Sequence, residues 1–593
     1  MKNIRIFLWV GLALILFVNY QTWVMDYSAK DAAVKAAAEE ATAAANAADP
    51  LAAAVPQAAV PTAAAPVPTP PQPTSPSGAS DVPAVPSTDS ATVPSIANAP
   101  ASSVVNVRTD VLDVDVGLRG GELQRADLLA YPVEKGRAER VRLLRNGGAE
   151  NQYLLQTGLA GVGAAAATGS FPTHLVEFQS DFPAFVLQPG QDELRVPLNW
   201  SSTDGVSLVK TLVFRRGSYR IDVEYALTNG SQAPWSVAPY AQILHDLPPV
   251  EKSYFNVDSY SFTGPALYDG TKYDKLKVSD REDASLNRDI KFGWIASLEH
   301  HFVVAIAPPQ DQTHRYTLKV REKEYVANKE SGAEYLATDV GPAITVAPGA
   351  SSAIAQTLFV GPKLQAQLEP IHPELGRAAD FGILTFLSRP LFWLLEQAHK
   401  IFGNWGLAII AVTFLLKLVF YPLSEASGKS MAKMKLVAPR IKQIQETYKD
   451  DREKLGRAMM ELYKKEKVNP ASSCLPMLIQ LPVFLAFYWV LLESVEMRQA
   501  PFFGWLQDLS SRDPLYILPL IMAGAMFMQY KLQPTPPDPI QAKMFMILPI
   551  VMSVTFAFFP AGLVLYWVTN TLLTIAQQWN INRRIEAAAT PRD

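Results

Sequence analysis

One cysteine and seven histidines in 593 residues leave little soft-metal chemistry to build with. A lone Cys474 rules out an intramolecular disulfide, and its position suits a small buried apolar residue. No H-E-x-x-H and no G-x-S-x-G pattern occurs, which removes the zinc-helix proteases and the nucleophile-elbow hydrolases. Gly428-Lys429-Ser430 ends like a phosphate loop, but Leu423 stands where that motif needs its first glycine, and no strand precedes it. His300 and His301 follow Glu299, yet adjacent strand positions face opposite sides, so they are not expected to converge on a metal. No histidine lies inside an apolar stretch, so a histidine proton relay is excluded too.

What the chain does have is long apolar runs. Six occur: Ile4–Val24, Trp405–Leu423, Leu475–Val495, Leu515–Leu532, Ala542–Phe559 and Gly562–Trp579. Each is near the length that spans ~30 Å of hydrocarbon at ~1.5 Å per residue. Pro560-Ala561-Gly562 divides the last two, which as one helix would be far too long, so a tight hairpin is expected there. The pattern is that of a polytopic membrane protein.

Charge sets the orientation. The chain carries −3 overall, but Met25–Lys400 holds 31 basic against 42 acidic side chains and Ser424–Cys474 holds 12 against 7. Lys2 and Arg5 precede the first run, and Arg583 and Arg584 follow the last. The positive-inside rule then places both termini and the Ser424–Cys474 loop in the cytoplasm of a bacterial inner membrane, with the large acidic segment in the periplasm. The first run reads as a retained anchor. A cleaved signal peptide is the alternative, disfavoured because Asn19–Tyr27 offers no small-x-small site.

The expected layout follows. Residues 1–25 form the anchor, and 26–104 an Ala/Pro-rich tether too poor in large apolar side chains to offset ordering entropy. Residues 105–362 form an all-β periplasmic domain. There Tyr219, Ile221, Val223, Tyr225 and Leu227 alternate with Arg220, Asp222, Glu224 and Ala226, the period of a half-buried strand. Similar runs at Val111–Val116, Ser207–Phe214, Phe302–Ala307 and Ala353–Val360 predict a large antiparallel sandwich. Asp113 and Asp115 share a strand face and could be a catalytic pair, but they alternate as a solvated face does. Residues 380–403, interrupted by Pro390, predict an interfacial amphipathic helix. Then come a second span at 404–423, a cytoplasmic helical hairpin at 424–474, spans three to six at 475–580 and a basic tail at 581–593.

In the hairpin, Met431, Met434, Val437, Ile441, Ile444 and Tyr448 recur at helical spacing. Asp450 is a candidate cap for a second helix through Leu455, Met459 and Leu462. Its basic face, Lys433 and Lys435 included, fits a lipid-headgroup surface and a dock for ribosomal RNA or acidic partners equally well.

Lys417 stands out because an ionised side chain inside a span is costly. It lies ~9 Å from the cytoplasmic end at ~1.5 Å per residue, so snorkelling is one reading. A hydrated cavity is the other, supported by Thr413 one turn earlier on the same face. Twelve of fourteen methionines follow Ser430, which suits surfaces that accept many apolar partners.

At these residues the chain resembles a known family. GNWGLAIIAVTFLLKLVFYPLSEASGKSMAKMK, KVNPASSCLPMLIQLPVFLAFYWVLLESVEMRQAPF, DPLYILP and FPAGLVLYWVTN are similar to the YidC/Oxa/Alb membrane protein insertases, in the Gram-negative form with a large periplasmic domain. The resemblance implies five core spans around a hydrophilic groove open to cytoplasm and lipid. A positive residue there attracts the polar tail of a substrate, whose apolar segment slides into lipid along the third and fifth core spans. The family's groove residue is usually arginine and the matching position is Lys417, which keeps the charge but loses the bidentate fork. Thr413 matches a groove threonine, and Trp567 falls where relatives often have a tyrosine. Tyr566 and Gln480 complete the groove set. The implied hairpin set is Met431, Met434, Lys433, Lys435 and Met459. Implied partners are nascent membrane proteins, the Sec translocon (SecYEG), SecDF, the ribosome, the signal-recognition-particle receptor and membrane lipids. The implied β-domain is a supersandwich like those of sugar-processing proteins.

The expectation is therefore an insertase and chaperone, not an enzyme, with no cofactor or metal. Two rivals remain open: a transporter or channel using Lys417, which should show a second buried ionisable residue or a repeat, and a membrane-tethered periplasmic carbohydrate-active domain.

Overall fold

The computed structural model describes residues 103–148, 151–163, 170–249, 261–325, 330–448, 451–466, 475–532 and 539–589. The expected anchor, almost all of the tether, Asp450 and Cys474 lie outside the described residues. Between Val104 and Pro362 the described chain forms two packed sheets, of eleven and eight strands. The first runs from Asn287–Lys291 at one edge to the short Ala184–Val186 at the other; the second runs from Tyr273–Lys275 to Glu193–Ser201. Pairing is antiparallel except that Val104–Arg108 lies parallel to Ala184–Val186, with Asn106 opposite Ala184.

Alternation explains the inner faces. Tyr219, Ile221, Val223, Tyr225 and Leu227 all bury into the core between the sheets. Asp222, on the opposite face, is buried as well. Burial opposes its ionisation, but hydrogen bonds from Arg215 and Arg220 outweigh it and hold the carboxyl below its ordinary value. Asp113 and Asp115 turn out to be partners of one guanidinium: Arg125 lies 2.7 Å from the first and 2.6 Å from the second, and Asn106 bonds both. The pair is an ion network on a sheet face.

Two buried histidines give the sandwich a pH dependence. His245 stacks on Tyr153 at 3.7 Å, and its Nδ1 lies 3.0 Å from Ser297 Oγ. Burial, then the charge of Arg145, pulls its pKa well below 6.5. His301 is lowered likewise, by burial and then by His300, Lys363 and Arg498. The native rings stay neutral where the unfolded chain begins to protonate. Stability is therefore fully present above the unfolded value of 6.5 and falls by up to about 1.4 kcal/mol per pH unit per ring below it. H245Q should remove about half of the slope contributed by the two rings. Melting curves between about pH 6.5 and pH 5 check this, and parallel wild-type and variant lines would sink it.

The sandwich sits on the helical part through a polar seat. Helix α1 covers Thr385–Phe402, α2 Trp405–Val419, α3 Tyr421–Thr447, α4 Arg452–Lys465, α5 Leu475–Glu493, α6 Ile517–Leu532, α7 Pro539–Phe556 and α8 Ala561–Ala589. Past the end of α5, Arg498 Nη2 donates to Pro132 O at 2.8 Å and Gln499 Nε2 to the same oxygen at 2.9 Å. Lys135 Nζ returns the contact to Gln507 O at 2.5 Å, and Val495 buries in the sandwich core. His300 and His301 belong to this seat. They lie in the turn before the strand Phe302–Ile306 and not on a strand, so their rings stack at 3.8 Å instead of pointing apart, and His300 Nε2 meets Leu492 O at 3.0 Å.

Among the described residues no single helix is long and apolar enough to cross a membrane. The second apolar run is broken at Phe420: α2 and the start of α3 (Tyr421–Ser430) meet at 62°. Pro422 explains the break, because it has no N–H and its ring clashes with the carbonyl four residues back. Shorter apolar helices cover Gln480–Glu493, Ile517–Leu532 and Met546–Phe556. The expected break near Pro560 falls between α7 and α8, and α8 runs on through the basic Arg583-Arg584 pair. In the α3–α4 hairpin the cap is Asp451 and not Asp450, its side chain accepting from Lys454 N at 3.1 Å. Gly428-Lys429-Ser430 is plain helix within α3, with Lys429 paired to Glu425.

Candidate functional site

A cleft opens where α2, α3, α5 and α8 approach one another, lined by Thr413, Lys417, Ser424, Gln480, Tyr566 and Asn570 among apolar neighbours. Helix α2 starts cleanly because Asn404 caps it, its side-chain oxygen accepting from Leu407 N at 3.1 Å. Thr413 and Lys417, four apart, therefore share one face. On α8, Tyr566, Asn570 and Thr574 fall at the same spacing and make a polar stripe on an apolar helix.

Lys417 is only 8% exposed. Its Nζ donates to Thr574 Oγ1 at 2.8 Å, and no carboxylate pairs with it among the described residues. Thr413 is buried, its hydroxyl donating to Ile409 O at 2.6 Å. Gln480 Nε2 donates to Asn570 Oδ1 at 2.5 Å, joining α5 to α8. Tyr566 stacks on Phe487 at 4.5 Å. Four of the five groove candidates thus come together.

Trp567 stands apart. It is not in the lining but packs edge-on to Phe484 at 4.7 Å and against Phe556 at 5.2 Å, behind the Tyr566 wall. Of the hairpin candidates, Met434 and Met459 pack on a small core of Val437, Ile441 and Leu462. Met431, Lys433 and Lys435 are on α3, and their side chains lie outside the described residues. Sequence reasoning missed Asn570 and Thr574. Their four-residue step from Tyr566 was the available signal.

Chemically the cleft offers one ammonium, several neutral hydrogen-bonding groups and an aromatic wall. It suits binding a polar or acidic chain segment. Residues 104–394 match the family described as YidC periplasmic domain, and residues 397–588 match 60Kd inner membrane protein. The membrane protein insertase YidC of Thioalkalivibrio sulfidiphilus is 44% identical over 597 residues, covering 99% of each chain. The chain belongs to the YidC family of membrane protein insertases.

Membership places this YidC-family chain in the inner membrane. The YidC insertase of Stutzerimonas stutzeri is 44% identical over 515 residues, covering 86% of this chain and 90% of its own. A solved structure of an active YidC insertase aligns with 18% identity and a TM-score of 0.35 over 81% of this chain and 92% of its own.

Proposed function

We propose that this chain inserts nascent inner-membrane proteins through the Lys417 cleft, capturing a polar or acidic tail there while the apolar segment passes to lipid. One observation carries the reading. The Lys417 ammonium is held in the cleft by a neutral hydroxyl instead of a carboxylate, so its charge remains available to an incoming segment. Thr413, Gln480 and Tyr566 supply the polar and aromatic wall, with Trp567 backing it. Six spans with both termini cytoplasmic fit the charge asymmetry. Helix α1, with Phe386, Trp393 and Ile401 exposed on one side and Leu391 and Leu395 buried on the other, is read as lying at the outer interface. The basic hairpin, including Met431, Lys433 and Lys435, is read as the contact for ribosomes or the signal-recognition-particle receptor. SecYEG and SecDF are read as part-time partners.

The test is a photocrosslinker at Gln480, half-buried in the lining, with ribosomes stalled on a short single-span membrane protein. Crosslinks should appear only at chain lengths that expose the apolar segment. Their absence at every length, in correctly folded protein, would turn the assignment toward transport or a periplasmic role.

A further inference from the structure

We infer that Thr574 is a positioning residue for insertion: its hydroxyl holds the Lys417 ammonium inside the cleft without neutralising it. The inference rests on the groove reading above. The hydroxyl accepts from Lys417 Nζ at 2.8 Å and donates to Asn570 O, one turn back on α8, at 2.7 Å. With its only proton spent on that carbonyl, the oxygen has lone pairs left for the ammonium. The β-branch limits the side chain to few rotamers, so the acceptor stays aimed across the gap from α8 to α2.

A lysine stem in a span extends toward the nearest water when nothing detains it. In the orientation set by the charge asymmetry, the nearest water is at the cytoplasmic end, toward Leu423, which lines the same cleft. Thr574 takes the ammonium across the bundle to α8 instead. Lys417 has three N–H donors and the threonine takes one. The others stay available to a substrate carboxylate. An aspartate at this position would pair with the ammonium and cancel the charge; a valine would keep the shape and release the lysine. Only a neutral acceptor does both jobs. The chain from Gln480 through Asn570 fixes the same stretch of α8 to α5, so the acceptor stands on a braced helix.

Insertion of a single-span substrate with an acidic N-terminal tail into proteoliposomes tests this in the full chain. T574V should slow insertion about tenfold, the scale of one lost hydrogen bond to a charged group, and T574S should keep the wild-type rate. T574D should be as slow as K417A. In a K417A background T574V should do nothing further, which a merely structural threonine would not obey. Should T574V fail to accumulate, T574A takes its place in the same cycle. An unimpaired T574V beside an impaired K417A overturns the positioning role and leaves the groove standing. An equal loss from T574V with and without Lys417 also overturns it, in favour of packing. An unimpaired K417A overturns the groove and this inference together.

Discussion

Lys417→Ala is expected to slow insertion of an acidic-tailed single-span substrate about 30-fold, and Lys417→Arg to keep most of the rate. The magnitude follows from the cleft's mixed surroundings. An ammonium and a carboxylate ~4 Å apart attract by about 1 kcal/mol in water and about 4 kcal/mol at an effective dielectric near 20. A cleft that is part apolar and part open lies between, near about 2 kcal/mol, and each 1.36 kcal/mol is about tenfold. Lys417→Glu should go further and shift preference to basic tails. Substrates with uncharged tails should lose little in any variant. Protease protection of the translocated tail in proteoliposomes measures all of these. Loss of insertion with an unchanged melting curve separates function from folding, because alanine removes a desolvated charge whose side-chain partner among the described residues, Thr574, is neutral. Wild-type insertion of acidic tails by K417A would make Lys417 a snorkelling lysine and nothing more.

Much of this was legible because period-two and period-3.6 patterns report burial directly. The alternation from Tyr219 to Leu227 gave the inner face of a strand, and Thr413 and Lys417 at a four-residue step gave one wall of the cleft. What escaped depends on partners distant in sequence. Thr574 meets Lys417 across 157 positions, and the Arg498 and Gln499 seat joins Pro132 across more than 360. Local pattern carries no information on such pairs. The break at Phe420 escaped for another reason: the apolar run continues through it unchanged, and only Pro422 marks the turn. Trp567 was assigned by analogy with its tyrosine relatives, yet one residue on a helix is about 100° of rotation. That rotation puts Tyr566 in the lining and Trp567 behind it.

Lys210 shows the same limit with a larger consequence for stability. It lies on the strand Val206–Arg215, in phase with the inward-facing Val206, Leu208, Leu212 and Phe214, while Val209 is partly exposed. A lysine in the inward phase is the signal that something polar waits across the core. Its Nζ donates to Gly120 O and Gly121 O at 2.9 Å each and to Thr157 O at 3.1 Å, three acceptors for three N–H groups. Gly120 and Gly121, at φ of 75° and 57°, form the hairpin turn that presents two of these oxygens. Lys210 and the strand with Thr157 are in different sheets, so the ammonium staples the sandwich together. Lys210→Met fills similar volume but strands the carbonyls, and should cost about 3 kcal/mol. On a domain of this size that is roughly a 6–10 °C fall in melting temperature. Amide exchange along Val206–Arg215 in the full chain should quicken about a hundredfold if those amides exchange through opening of the sandwich. Exchange confined to its wild-type rate would mean the carbonyls find other donors, and that the two sheets are held by apolar packing alone.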